Sequence, residues 1–98
     1  MGVPHQNVAA AVRKARDQAK TILDSLDTQG HPETARSSGL YLTLVMLQKR
    51  LLATDPPPPA VSTFVPDLEQ LVSQCEGKLA PVKGLLQDAV RLARGSKA

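Results

Sequence analysis

Val8, Val12, Ala15, Ala19, Ile22 and Leu26 recur at alternating steps of four and three residues, which sets them on one stripe of a helix. The spacing predicts a first helix over residues 7–28. Asn7 is its expected N-cap, accepting from the free amides of the first turn, and Gly30 its left-handed stop. The early part of the stripe is rich in alanine, so a neighbouring helix can approach closely there. Ile22, Leu23 and Leu26 fill space instead. Leu40, Leu44, Leu47 and Leu51 repeat the rhythm in a second helix, expected over residues 32–53. Pro32 suits its first position, where a missing amide costs nothing. Leu40-Tyr41-Leu42-Thr43-Leu44 also alternates as a strand does. The pattern nevertheless continues at helical spacing through Leu52, and no second strand is available for pairing. Ser37, Ser38 and Gly39 make the start of this helix weak.

Asp55 and the four prolines after it cannot be helical, and favour an extended connector over residues 55–60. A stiff linker between helices is the expected role, ahead of recognition by a proline-binding partner, because the run is short and lacks a flanking basic residue. Beyond it, Phe64, Leu68, Leu71 and Cys75 form a third stripe that resumes as Leu79, Val82, Leu86, Ala89 and Ala93. A third helix is therefore expected over residues 63–94, capped near Ser62 or Thr63, with a kink or break at residues 77–81. Pro81 is the reason: inside a helix its ring would clash with the carbonyl of Gly77 and leave it unbonded. The continuity of the stripe favours a kink.

These elements imply an all-α fold: one domain over residues 1–98, an antiparallel up-down bundle of three helices with the last kinked near Pro81, or of four if it breaks there. Composition agrees. The chain is 42% hydrophobic, dominated by Leu, Val and Ala, and Phe64 and Tyr41 are its only aromatics. Sheets favour aromatic and β-branched residues, whereas Leu and Ala are good helix formers.

Candidate chemistry is sparse. Cys75 is the only cysteine, so it forms no intrachain disulfide and anchors no zinc site alone. Its place on an apolar stripe reads as a buried, unreactive thiol. His5 and His31 stand apart, each at a helix entry, without the spacing that metal ligands need. No Glu-x-x-His pair, phosphate-cradling glycine loop or nucleophile–base pairing is present. The expectation is a protein that is not an enzyme and holds no metal or cofactor. The N-terminus has no secretory pattern, and Gln6 stands where a myristoylation signal after Gly2 wants Ser or Thr. The longest nearly apolar run, Leu40 to Leu47, is too short to span a bilayer. A soluble, cytoplasmic protein with no transmembrane segment is expected.

The net charge of +3 is mild, so its distribution matters more. Arg13, Lys14, Arg16 and Lys20 cluster on the first helix, and Lys78, Lys83, Arg91, Arg94 and Lys97 make the C-terminal fifth basic. The alternative expectation is therefore a binder of acidic surfaces, nucleic acid or anionic lipid, through Arg13, Arg16 and Lys20 together with the basic C-terminus. Nucleic acid itself is disfavoured: aromatics to stack on bases are nearly absent, no recognition motif appears, and Asp17, Asp24 and Asp27 dilute the field.

The second helix carries the stronger signal. At about 100° per residue, Leu42, Met46 and Ala53 fall roughly 200–240° from Leu40, nearly opposite the core stripe and next to Lys49. An outer helix of a three-helix bundle should be polar there. Either this helix is covered on several sides, or Leu42 and Met46 form an exposed apolar strip. The leading expectation is a protein–protein interaction module, an adaptor or small subunit of a complex. Leu42 and Met46 supply apolar contact, while Lys49 and Arg50 steer an acidic partner. That partner is a helix of another protein or a second copy of this chain.

Overall fold

A computed structural model describes residues 3–54 and 58–95 of the chain, with the side chains of Val3 and Pro4 excepted. The first part of the expected polyproline connector (Asp55, Pro56, Pro57) and the C-terminal residues 96–98, Lys97 among them, lie outside the described residues. The architecture is all-α: α1 (Val3–Gln29), α2 (Thr34–Leu51), α3 (Val65–Ser73) and α4 (Ala80–Gly95). Single 3₁₀ turns, Val61–Phe64 and Gly77–Leu79, lead into α3 and α4.

α1 starts four residues before the expected position, so Asn7 lies inside the helix and does not cap it. Pro4 sits in the first turn, where its missing amide is one of the four that have no intrahelical partner anyway. The far end behaves as expected. Gly30 adopts φ +63°, its amide donates to the Asp27 carbonyl at 3.1 Å, and the His31 amide donates to Leu26 at 3.0 Å. This pair of bonds satisfies two of the helix's orphan carbonyls and needs the left-handed residue between them.

Pro32 does not open α2. It stands two residues ahead, in a turn built on His31. The His31 carbonyl accepts from the Thr34 amide at 3.1 Å and from the Thr34 hydroxyl at 2.7 Å. His31 Nδ1 accepts from the Glu33 amide at 3.1 Å. A histidine thereby does the work usually left to a short polar side chain before a helix.

The last apolar stripe is divided between two helices. Gln74 caps α3, Glu76 is extended at φ −128°, ψ 162°, and Gly77 turns left-handed at φ +59°. The four-helix alternative is therefore the one the chain adopts, and Pro81 kinks nothing. It occupies the first turn of α4, where it has no amide to lose. The stripe runs on across the break because α3 and α4 face one core from both sides of a turn, and periodicity cannot detect the turn.

α1 is central, packed against α2 on one flank and α4 on the other, and α3 lies against α4. The core joins the predicted stripes: Val8, Val12, Ala15 and Ala19 with Leu40, Leu44, Leu47 and Leu51, then Phe64, Leu68, Leu79, Val82 and Leu86. Ala15 and Ala19 of α1 and Ala89 and Ala93 of α4 are fully buried. Such small side chains let two contacting helices lie close. Val61 and Phe64 are buried too, so the 3₁₀ turn before α3 is anchored in the core rather than strung over the surface.

Candidate protein-interaction surface

α2 presents its leucine stripe inward, and this fixes what it presents outward. Leu40, Leu44, Leu47 and Leu51 are buried. Leu42 and Met46, on the opposite side, are 55% and 65% exposed. Leu52, just past the end of the helix, is also exposed. Among the described residues the helix is therefore not covered on several sides, and its outer face carries two large apolar side chains where an outer helix is ordinarily polar.

Beside this face runs a groove of about 400 Å³ between α2 and α3. Met46 and Arg50 form its α2 wall, Asp67 and Gln70 its α3 wall, and the buried Leu47 and Leu71 line its floor. The groove exists because α2 and α3 are neighbours that barely touch. The sequence points to the strip but misses the opposing wall. The signal that finds it is the spacing of Asp67, Gln70 and Gln74, three polar residues at steps of three and four that share one exposed helix face.

The two basic residues placed at this surface differ in their surroundings. Arg50 stands 5.2 Å from the centroid of the Phe64 ring and 4.0 Å from the Asp67 carboxylate. Lys49 is exposed and enters no ion pair among the described residues.

The first-helix cluster is partly occupied within the fold. Arg16 donates to Gln48 Oε1 of α2 at 2.6 Å and to Asp17 at 3.0 Å. Lys20 donates to Asp24 at 2.9 Å and stands 5.8 Å from the Tyr41 ring centroid. Its hydrogen bond to Asp24 raises its pKa above the ordinary lysine value. Arg13 is exposed. Two of the three cations thus spend their charge on neighbours that hold α1 to α2 or neutralise α1 itself.

The remaining candidate groups are engaged structurally. His5 Nε2 lies 2.7 Å from the Pro59 carbonyl and ties α1 to the end of the connector. Cys75 is buried, bonded through Sγ to the Leu71 carbonyl at 3.2 Å. Burial pushes its thiol pKa up, against the opposing pull of Lys83 and Arg36. A thiol buried in this way is a poor nucleophile. Among the described residues, no three His, Cys, Asp or Glu side chains gather as metal ligands would, and no helix is long and apolar enough to cross a membrane.

Fold and surface together define an all-α helical bundle with an apolar, cation-edged outer face. Comparison with protein-family models, with curated proteins and with solved structures finds no match to this chain.

Proposed function

We propose that this chain is a non-enzymatic protein–protein interaction module, an adaptor or small subunit of a complex. Its contact surface is the outer strip of α2, with Leu42 and Met46 as apolar contacts and Lys49 and Arg50 as the charged edge. One observation carries the reading: Leu42 is 55% and Met46 65% exposed on a helix whose other face is fully committed to the core. Large apolar side chains adjacent on one helix face are the usual substance of helix-to-helix recognition. Removing each from water on association contributes about 1–2 kcal/mol. The setting that fits is the cytoplasm, where a lone buried thiol needs no partner.

The experiment is a photo-crosslinking residue placed at Met46 in cells, with Lys83 on α4 as an exposed control. Crosslinks specific to position 46 are expected, and the double variant L42D/M46D should abolish them while far-UV circular dichroism stays unchanged. Loss of helicity in that variant would instead assign both residues to the core and remove the reading. Equal crosslinking from both positions would remove it as well.

A further inference from the structure

The sulfur atoms of the chain belong to Met1, Met46 and Cys75, and the fold treats the last two in opposite ways. Cys75 is 2% exposed, with its Sγ held to the Leu71 carbonyl at 3.2 Å. Burial keeps solvent oxidants from that sulfur. Met46 is the most exposed of the large apolar side chains among the described residues. It stands on the outer face of α2, at the wall of the groove shared with α3.

Of the apolar side chains on this face, the methionine alone can become polar without a change of sequence. Leu42 and Leu52 are hydrocarbons and inert to mild oxidants. A hydroperoxide transfers one oxygen to the Met46 sulfur. The O–O bond breaks, an S–O bond forms, the sulfur gives up two electrons, and the peroxide leaves as water or an alcohol. The product is a sulfoxide, a polar side chain that accepts hydrogen bonds. Reduction by two thiols reverses the step: they leave as a disulfide, and the oxygen leaves as water.

The surroundings of Met46 suit the product as well as the reactant. Arg50 lies four residues further along the same helix face. Its guanidinium is loosely committed, 4.0 Å from Asp67 with 60% of the side chain exposed. An open pair of that kind contributes little. Across the groove, Gln70 and Gln74 bring amide donors. Inside a packed core a sulfoxide would disrupt the fold. Met46 is no part of the core, so its oxidation changes the character of the outer face and leaves the bundle intact.

We propose that Met46 is an oxidation switch on the α2 strip. A hydroperoxide converts its thioether to the sulfoxide and releases the partner, and thiol-dependent reduction restores binding. This rests on the reading of the strip as a contact surface and adds its regulation.

The purified chain is treated with hydrogen peroxide, cleared of it with catalase, and examined by peptide mass spectrometry. Met46 should gain one oxygen at close to the rate of free methionine, with Cys75 unmodified and far-UV circular dichroism unchanged. Oxidation more than about tenfold slower than that of free methionine overturns the switch. Binding is read in cell extract from a photo-crosslinking residue at Leu42, which leaves Met46 in place. The oxidised chain should give about tenfold fewer crosslinks than the reduced chain, because a polar side chain replaces an apolar contact. The two epimer-specific methionine sulfoxide reductases with dithiothreitol should return them. In M46L the crosslinks, whatever their level, should be the same before and after peroxide, which separates Met46 from Met1.

Equal crosslinks from the oxidised and reduced chains overturn the switch and keep the strip. A loss that persists in M46L assigns the effect to another residue and overturns the switch as well. Crosslinks from the reduced chain no stronger than those from position 83 remove the strip itself, and the switch with it.

Discussion

Gly77 is held by its backbone and its neighbour at once. At φ +59° it occupies the left-handed region, and a Cβ added there would stand 3.0 Å from Glu33 Oε1. Arg36 donates to Glu33 and also to the Glu76 carbonyl at 3.3 Å, so the carboxylate must give by a few tenths of an ångström against that pairing. These contacts clasp the α1–α2 turn to the α3–α4 turn. Gly77→Ala should therefore lower unfolding free energy by about 1–2 kcal/mol in urea denaturation, chiefly through the left-handed backbone. Ser37 should respond in the opposite direction. It is fully buried on α2, and its hydroxyl has no hydrogen-bond partner among the described residues. Ser37→Ala removes an unsatisfied polar atom and adds a better helix former, so the melting temperature should rise, by the equivalent of about 1 kcal/mol. Neither effect is legible in the sequence. Gly77 and Ser37 read there only as a kink near Pro81 and a weak start to a helix. Their roles depend on Glu33, on Arg36 and on what surrounds the Ser37 side chain.

Among the elements, α3 and α4 divide what periodicity presents as one stripe. Pro81 invites a kink, yet the chain turns earlier, over Gln74, Cys75 and Glu76, and resumes with Pro81 in a first turn. In a kinked helix, replacing the proline would restore a missing bond and straighten the axis. In the observed break there is no bond to restore. Pro81→Ala should change stability by less than about 1 kcal/mol and leave helical content unchanged by circular dichroism. The same logic explains Asn7 and Pro32. Both carry the right chemistry for a cap or a first position, and both are displaced. α1 extends back to Val3, while the His31 side chain and carbonyl take over the start of α2. Local preference marks where a helix can start, and the available hydrogen bonds choose between adjacent places.

For the whole molecule, inward and outward faces of α2 should separate cleanly in stability measurements. Leu44 is fully buried, so Leu44→Ala should cost about 2–5 kcal/mol. Met46 is 65% exposed, so Met46→Ser should cost less than about 0.5 kcal/mol. A large loss from Met46→Ser would place that side chain in the core and remove the interaction surface with it. The asymmetry matters because both residues look alike in composition and belong to one helix. Only their angle around it differs.

The hydrophobic periodicity by itself determines that the chain is all-α, which leucines and valines form the core, that Gly30 ends α1, and that Leu42 and Met46 lie away from the leucine stripe. These follow from a 3.6-residue repeat and from backbone preferences, which act over one or two turns. The tertiary structure alone decides that the last stripe is two helices, that Arg16 and Lys20 are engaged by Gln48 and Asp24, and that none of the described residues covers Leu42 and Met46. It also decides that Arg50 and Asp67 stand on either side of one groove. Each of these depends on residues far apart in the chain, or on where a helix face meets solvent, and no local pattern carries that information.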